Sequence, residues 1–357
     1  MKRALLWFPA KFYELLVRLR VAAYETGYLT PARLGGTVIS VGNITVGGTG
    51  KTPLVEYIAR YLKEEGHSVA VLTRGYGRKS EGRRLLNSGA AGGQGAPAAP
   101  APSYEEFGDE PVMLARAVPG VPVIVDKDRT AGGSWAEREY SSDVLILDDG
   151  YQHLKLARNL NILLLDATDP FGGFEMVPFG RLREPLYGLR RADVVIVTRA
   201  DRSFDQGQLH AIIRYSCGEK IPILYFSASI TGLRHLKTGE VYEPSQFLGW
   251  NAVALCGIGN PQAFAGDLVQ IGMNVVEESF FPDHYAFAQE DVDRVTERAR
   301  DAGADLIVTT EKDAIRLEGI EPGEVPIYAA RLELQSDDEV RLKSLLLRTI
   351  VLGRPRP

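Results

Sequence analysis

The sequence predicts an α/β protein: a mostly parallel sheet with helices on both faces, a smaller α/β unit behind it and an amphipathic helix ahead of both. Three observations carry this expectation. Short, continuously apolar runs alternate with longer segments of helical period, the βαβ rhythm of a sheet buried on both faces. A length of 357 residues exceeds one average domain and falls short of three. The start of the chain is basic while the body is acidic. Residues 1–33 carry six Lys or Arg against two Glu, net +4, whereas the whole chain is −5, so the rest carries −9.

Composition removes several classes. Hydrophobic residues make up 45% and charged residues 24%, ordinary globular usage that excludes a disordered or fibrous chain. No run approaches the roughly 18 apolar residues needed to cross a bilayer. The net negative charge argues against a nucleic-acid binder working through a global basic field. Cys217 and Cys256 are the only cysteines, too few for a disulfide scaffold or a Cys-based zinc site, and consistent with a reducing compartment. The apolar run Ala4–Ala10 is short, contains Pro9 and lacks a cleavage site, so it does not read as a secretory signal.

The elements follow in order. Residues 1–30 form the first unit. Phe12, Leu15, Leu16, Leu19, Ala22 and Ala23 share one face of a helix over 10–25, with Lys11, Arg18 and Arg20 beside it and Leu5, Leu6, Trp7 and Phe8 just ahead. Such a helix either lies in a membrane interface, its basic groups against anionic lipid, or packs on the body. Residues 31–228 form the main domain. Its strands are expected at Thr37–Val41, Ser68–Leu72, Pro122–Val125, Val144–Leu147, Asn161–Leu165 and Asp193–Val197, and its helices at Lys51–Glu65, Pro111–Val118 and Thr130–Tyr140. Within it, Ser88–Ser103 contains only Gly, Ala, Pro, Ser and Gln. It cannot bury a core and reads as a flexible loop, either a mobile cover or an inert insertion. Residues 229–357 form the smaller unit, with strands at Ala252–Cys256, Asn274–Phe280, Leu306–Val308 and Pro326–Ala329 and helices near 261–271, 289–302 and 337–351.

The strongest local signal is the strand Val38–Val41 running into Gly42-Asn43-Ile44 and then Thr45-Val46-Gly47-Gly48-Thr49-Gly50-Lys51-Thr52. A strand, a Gly-rich turn and a helix give the context of a phosphate-binding P-loop, with Thr45 where the motif has its first Gly. Backbone N–H groups and the helix N-terminus cradle phosphate oxygens, Lys51 reaches the β- and γ-phosphates, and Thr52 ligates Mg²⁺. The metal's acidic partner is expected at Asp148 and Asp149, two carboxylates before Gly150 at the end of an apolar strand; Asp166 competes for the role.

Three kinds of P-loop protein fit such a loop. A nucleotide-switch GTPase would read its base with Asn/Thr-Lys-x-Asp, but Thr198-Arg199-Ala200-Asp201 has Arg for Lys. A membrane-associated MinD-like ATPase switch, without phosphate transfer, would carry a signature lysine where Val46 stands. The third is a kinase. The stretch Ser40–Pro53 resembles the signature of the tetraacyldisaccharide 4′-kinase family, the lipid A 4′-kinases of Gram-negative bacteria. The resemblance continues in order through Arg74-Gly75-Tyr76-Gly77, Gly108-Asp109-Glu110-Pro111, Leu147–His153, Leu182-Arg183-Glu184-Pro185, Gly257–Pro261, Phe281-Pro282-Asp283-His284 and Thr310-Glu311-Lys312-Asp313. It departs at Phe179-Gly180-Arg181, where the family usually has Gly-Pro before Leu-Arg-Glu, and in the lengthened loop 88–103.

The resemblance implies transfer of the ATP γ-phosphate, with Mg²⁺, to the 4′-hydroxyl of a tetraacylated glucosamine disaccharide 1-phosphate, forming the tetraacylated lipid A precursor. It implies a monotopic protein on the cytoplasmic face of the inner membrane, whose partners are that lipid and the membrane surface; no nucleic acid or obligate protein partner is expected. It places a base at Asp109 and its dyad partner at His284. From the residues alone, Asp109 reads as a helix N-cap. The two are 175 positions apart, so the second unit must close over the first for them to meet. Arg74 and Arg129 are candidates for the acceptor's 1-phosphate, with Tyr76, Gln152 and His153 near the sugar. Arg129 also fits a solvated helix start, and Gln152 and His153 fit as props for the carboxylates. Arg183 and Glu184 suit either the metal's surroundings or a structural ion pair.

Overall fold

A computed structural model describes residues 6–86, 102–202 and 204–353. The chain begins with α1 (Trp7–Glu25), β1 (Thr37–Asn43), α2 (Lys51–Glu64), β2 (Val69–Thr73), β3 (Arg84–Leu86), α3 (Tyr104–Phe107) and α4 (Asp109–Ala117). There follow β4 (Val123–Val125), α5 (Arg129–Tyr140), β5 (Val144–Asp148), β6 (Leu160–Asp166), β7 (Val194–Thr198), α6 (Gln206–Cys217) and β8 (Ile223–Tyr225). The eight strands form one sheet in the order β3-β4-β2-β5-β1-β6-β7-β8, parallel except for β3, which runs antiparallel to β4 at the edge.

Alternation along the strands sends neighbouring side chains to opposite faces. Ile39 and Val41 enter the core under α2 and α4, while Val38 enters the core under α5. Likewise Ile162 and Leu164 join the first core, and Leu163 and Leu165 pack with Leu209 and Ile213 of α6. This accounts for the unbroken apolar runs: every residue of β1, β5 and β6 is buried.

The second sheet is built from β9 (Ser227–His235), β10 (Val241–Tyr242), β11 (Asn251–Cys256), β12 (Asn274–Phe280), β13 (Leu306–Thr310) and β14 (Ile327–Gln335). Helices α7 (Pro261–Gln270), α8 (Gln289–Asp301) and α9 (Glu311–Arg316) interleave its strands. Its order is β10-β9-β14-β13-β11-β12, parallel from β12 to β14 and antiparallel at β9 and β10. The last helix, α10 (Glu339–Leu352), departs from the expected division at residue 229. Its Leu342 and Leu346 are fully buried in the core of the first sheet, with Val55, Ile58 and Phe226.

α1 is held to the body by few groups. Ala10 and Val21 are buried, Tyr13 Oη donates to the Arg183 carbonyl at 3.0 Å, Arg20 donates to the Gln152 carbonyl at 3.2 Å, and Glu25 pairs with Arg190 at 2.5 Å. Its apolar stripe faces outward, with Phe8 74%, Phe12 63%, Leu16 48% and Leu19 59% exposed. Lys11 and Arg18 both pair with Glu14, at 3.0 and 2.6 Å, so the basic groups are partly neutralised within the helix. Lys2, Arg3 and Leu5 lie outside the described residues, as does the loop 88–103 apart from Pro102 and Ser103. No helix among the described residues is long and apolar enough to cross a membrane.

Candidate active site

The site lies at the C-terminal ends of β1 and β5, neighbours at the sheet centre that pair in register with Val41 opposite Asp148. Open parallel sheets bind ligands at such ends, where the connections part to either side. The chain leaves β1 through residues 44–50 and enters α2 at Lys51. Gly47 and Gly50 adopt φ of +113° and +77°, a turn that side-chain-bearing residues resist. Thr45 and Thr49 are buried, and Val46 N–H donates to the Arg181 carbonyl at 2.8 Å. Lys51 Nζ donates to Asn43 Oδ1 at 3.3 Å and lies 3.5 Å from Asp149 Oδ1. Thr52 is half-buried in the first turn of α2.

The two carboxylates at the end of β5, Asp148 and Asp149, occupy different environments. Asp148 is 2% exposed and accepts from Thr73 Oγ1 at 3.1 Å. Burial, with the charges of Glu110 and Asp149, pushes its carboxyl up to about 7. Asp149 adopts a left-handed φ of 49° and accepts from Arg183 Nη1 at both carboxylate oxygens, at 2.9 and 2.7 Å, beside the Lys51 ammonium. Burial works to raise its carboxyl, but Lys51 and Arg183 outweigh it and hold it below the usual range. Asp166, the competing carboxylate, is taken up by Arg199 and by Thr168 Oγ1 at 2.7 Å.

A divalent cation fits this donor set. Asp148 is a buried carboxylate that feels the charges of two other carboxylates, and Thr52 supplies a hydroxyl in the first turn of α2. Among the described residues no cluster of three His, Cys, Asp or Glu forms a protein-only cage.

Asp109 and His284 meet across the two sheets. His284 Nδ1 is 3.1 Å from Asp109 Oδ2, and Asp109 is 4% exposed. Asp109 is the first residue of α4 and not its cap; Gly108, with φ of 94°, takes that position and supplies no side-chain bond. Asp109 Oδ1 accepts from the Glu110 N–H at 2.8 Å, and Oδ2 also accepts from Arg316 Nη2. Lys312 Nζ lies 3.4 Å from His284 Nε2 and 3.4 Å from Glu110 Oε1. An ammonium has no lone pair to offer, so Nε2 faces it as acceptor and Nδ1–H donates to Asp109 Oδ2; Arg316 Nη2, 3.2 Å from Nδ1, donates to the same Oδ2. Burial, then the Lys312 charge, holds the imidazole below its ordinary pKa.

Sequence reasoning missed Lys312 and Arg316 as members of the site. Lys312 lies in the quoted Thr310–Asp313 block, but no pattern ties α9 to α4, because only the fold places them together. Glu110 likewise had no role in the sequence reading, yet it accepts from Lys312 and its charge acts on Asp148.

The remaining candidates sort by burial. Arg129 is 7% exposed and senses Asp149, Arg74 and Asp148 electrostatically, so it does not sit on a solvated helix start. Arg74 is exposed, and Tyr76, 66% exposed, packs its ring 5.3 Å from that of His284. Gln152 Nε2 bridges Glu184 Oε1 at 2.7 Å and the Asn43 carbonyl at 2.8 Å. Glu184 also pairs with Arg191 at 2.5 Å. His153 is pushed down to about 4 by burial and by Arg129 and Arg158. Arg181, at the departure from the family pattern, donates to the Val46 carbonyl at 3.0 Å and pairs with Asp169 at 2.9 Å.

A phosphate loop at the switch point of a parallel sheet, with paired carboxylates on the adjacent strand, defines a P-loop NTPase-like protein. A family model described as Tetraacyldisaccharide-1-P 4'-kinase matches residues 2–351. The tetraacyldisaccharide 4'-kinase of Geobacter sulfurreducens is 41% identical over 344 residues, covering 96% of this chain and 92% of that protein. Its counterpart from Geobacter metallireducens is 40% identical over 334 residues, covering 94% of each. The crystal structure of "apo" form LpxK from Aquifex aeolicus in complex with ATP matches with a TM-score of 0.74 at 33% identity, over 98% of this chain and 100% of that one. The chain belongs to the tetraacyldisaccharide 4′-kinase family.

Proposed function

We propose that this chain transfers the γ-phosphate of ATP to the 4′-hydroxyl of a tetraacyldisaccharide 1-phosphate, with Asp109 as the base, and that it does so at the membrane surface where that lipid resides. Membership of the kinase family supports the reaction, and the relative solved in complex with ATP supports the donor. The observation that carries the mechanism is the 3.1 Å contact of His284 Nδ1 with Asp109 Oδ2 beside the phosphate loop. A switch ATPase without phosphate transfer would have no use for a base facing an acceptor, and the family assignment does not favour it.

A sugar hydroxyl is a poor nucleophile at neutral pH, so a carboxylate that takes its proton assists the attack. A carboxylate offers about four lone-pair sites; Glu110 N–H, His284 Nδ1–H and Arg316 occupy three on Asp109. One remains for the incoming proton. The hydroxyl oxygen bonds to the γ-phosphorus as its proton passes to Asp109. The bond from that phosphorus to the bridging oxygen breaks, and ADP leaves with the electron pair. Lys51 compensates charge on the phosphates, and the loop of residues 45–52 orients them. Thr52, Asp148 and Asp149 would hold Mg²⁺, which neutralises phosphate charge when bound. Arg74 and Arg129, with Tyr76, Gln152 and His153, would receive the acceptor's headgroup.

The exposed stripe of α1 supports membrane attachment. Each large apolar side chain that enters the interface contributes up to about 2 kcal/mol. Because Lys11 and Arg18 share Glu14, apolar burial outweighs charge in this reading.

Mass spectrometry of tetraacyldisaccharide 1-phosphate in mixed micelles with the protein, Mg²⁺ and ATP tests the reaction, a gain of one phosphate on the distal sugar being expected. Asp109→Ala should lower turnover by about a hundredfold or more with ATP affinity nearly intact. Wild-type turnover in that variant would remove Asp109 as the base.

A further inference from the structure

The described residues offer one connection that the proposed mechanism leaves without a purpose. The loop after β11 lies directly on the phosphate loop: a Cβ on Gly259 would stand 3.3 Å from Gly47 Cα and 3.3 Å from Gly48 N. Two residues earlier, the Gly257 carbonyl accepts from Arg316 Nη1 at 3.1 Å and from the His284 N–H at 3.2 Å. The other arm of the same guanidinium, Nη2, ends on Asp109 Oδ2. Arg316 is 3% exposed, and the Nη1 that reaches Gly257 also donates to Asp313 Oδ1 at 2.9 Å. Asp313 is fixed in turn by Thr310 Oγ1 at 2.8 Å and the Gly257 N–H at 3.1 Å.

A planar guanidinium with its two arms on different elements transmits position, because neither arm can shift without the other. One arm reads the loop covering the phosphates and the other holds the proposed base. We infer that Arg316 is a positioning residue that couples seating of the Gly257–Asn260 loop on the phosphate loop to placement of Asp109, so that transfer to the lipid is enabled only when the nucleotide is covered. The inference rests on the assignment of Asp109 as the base. Water reaching the γ-phosphate needs no such alignment of α4, so loss of the coupling separates nucleotide hydrolysis from transfer.

The test compares the full-length wild type with Arg316→Met and with Arg316→Met/Asp313→Asn. The double variant removes the guanidinium without leaving Asp313 as an unpaired buried charge, which would itself destabilise the fold. ADP and phosphorylated lipid are measured together, with tetraacyldisaccharide 1-phosphate in mixed micelles. Lipid phosphorylation should fall roughly a hundredfold with the ATP KM within about threefold of wild type, and more than one ADP should appear for each lipid phosphorylated. Unchanged transfer, a product ratio that stays at one, or parallel loss of ATP affinity in the folded double variant would each overturn the inference. A wild type that phosphorylates no lipid would instead sink the assigned reaction. If Asp109→Ala turns over like wild type, the base assignment fails separately.

Discussion

Gly259 packs against Gly47, so the second sheet's loop touches the phosphate loop with no side chain between them. The contact has no room to spare. A Cβ at 259 is already tight at 3.3 Å, and a longer side chain has the phosphate loop in its way. Gly259→Leu should therefore raise the ATP KM about tenfold, equivalent to ~1.4 kcal/mol, with the melting temperature little changed. Steady-state kinetics on the purified variant decide it, and a wild-type KM would mean that the loop stands clear of the nucleotide.

The exposed stripe of α1 gives a second prediction. Removing the whole helix would also take away Tyr13 from the Arg183 carbonyl and Arg20 from the Gln152 carbonyl, confusing attachment with site damage. Substituting Phe12, Leu16 and Leu19 by Ser leaves those contacts in place. The triple variant should melt with the wild type yet fail to co-sediment with anionic vesicles. Sedimentation at the wild-type level would place the membrane contact elsewhere.

His153 gives a pH dependence whose sign can be worked out. Its folded-state pKa is pushed down to about 4 from 6.5, by burial first and then by Arg129 and Arg158. The unfolded chain takes up this proton as pH falls through the ordinary value while the folded chain does not. The stability is therefore present above 6.5 and lost as pH falls toward 4. His153→Gln should gain stability relative to wild type between pH 7 and 4.5 in urea titrations. A constant difference across that range would show that His153 titrates normally.

The last helix supplies a packing test. Leu346 is fully buried in the core of the first sheet although it follows the second. Leu346→Ala should cost ~2–5 kcal/mol, and denaturant unfolding followed by a probe in the first sheet should report it. A shift confined to the second sheet would contradict the packing.

Much of this was legible in the chain. The central strands could be located because burial on both faces demands unbroken apolar runs, and the phosphate loop because its turn demands glycine. The strand Ser227–His235 escaped notice. It is polar, contains Gly232, and owes its form to eight cross-strand partners in β14. The short helix Glu311–Arg316 escaped as well, since six residues give no readable period.

By itself, then, the sequence determined the fold class, the Gly-rich loop before α2 and the carboxylates at the end of β5, because each is local: a few consecutive residues and their backbone carry the whole requirement. The tertiary structure alone decided which distant groups act on Asp109, that Arg316 and Lys312 belong beside it, that α10 returns to the first core, and that the stripe on α1 faces outward. Those relations depend on the packing of elements up to 207 positions apart, and no pattern within a short window encodes such a contact.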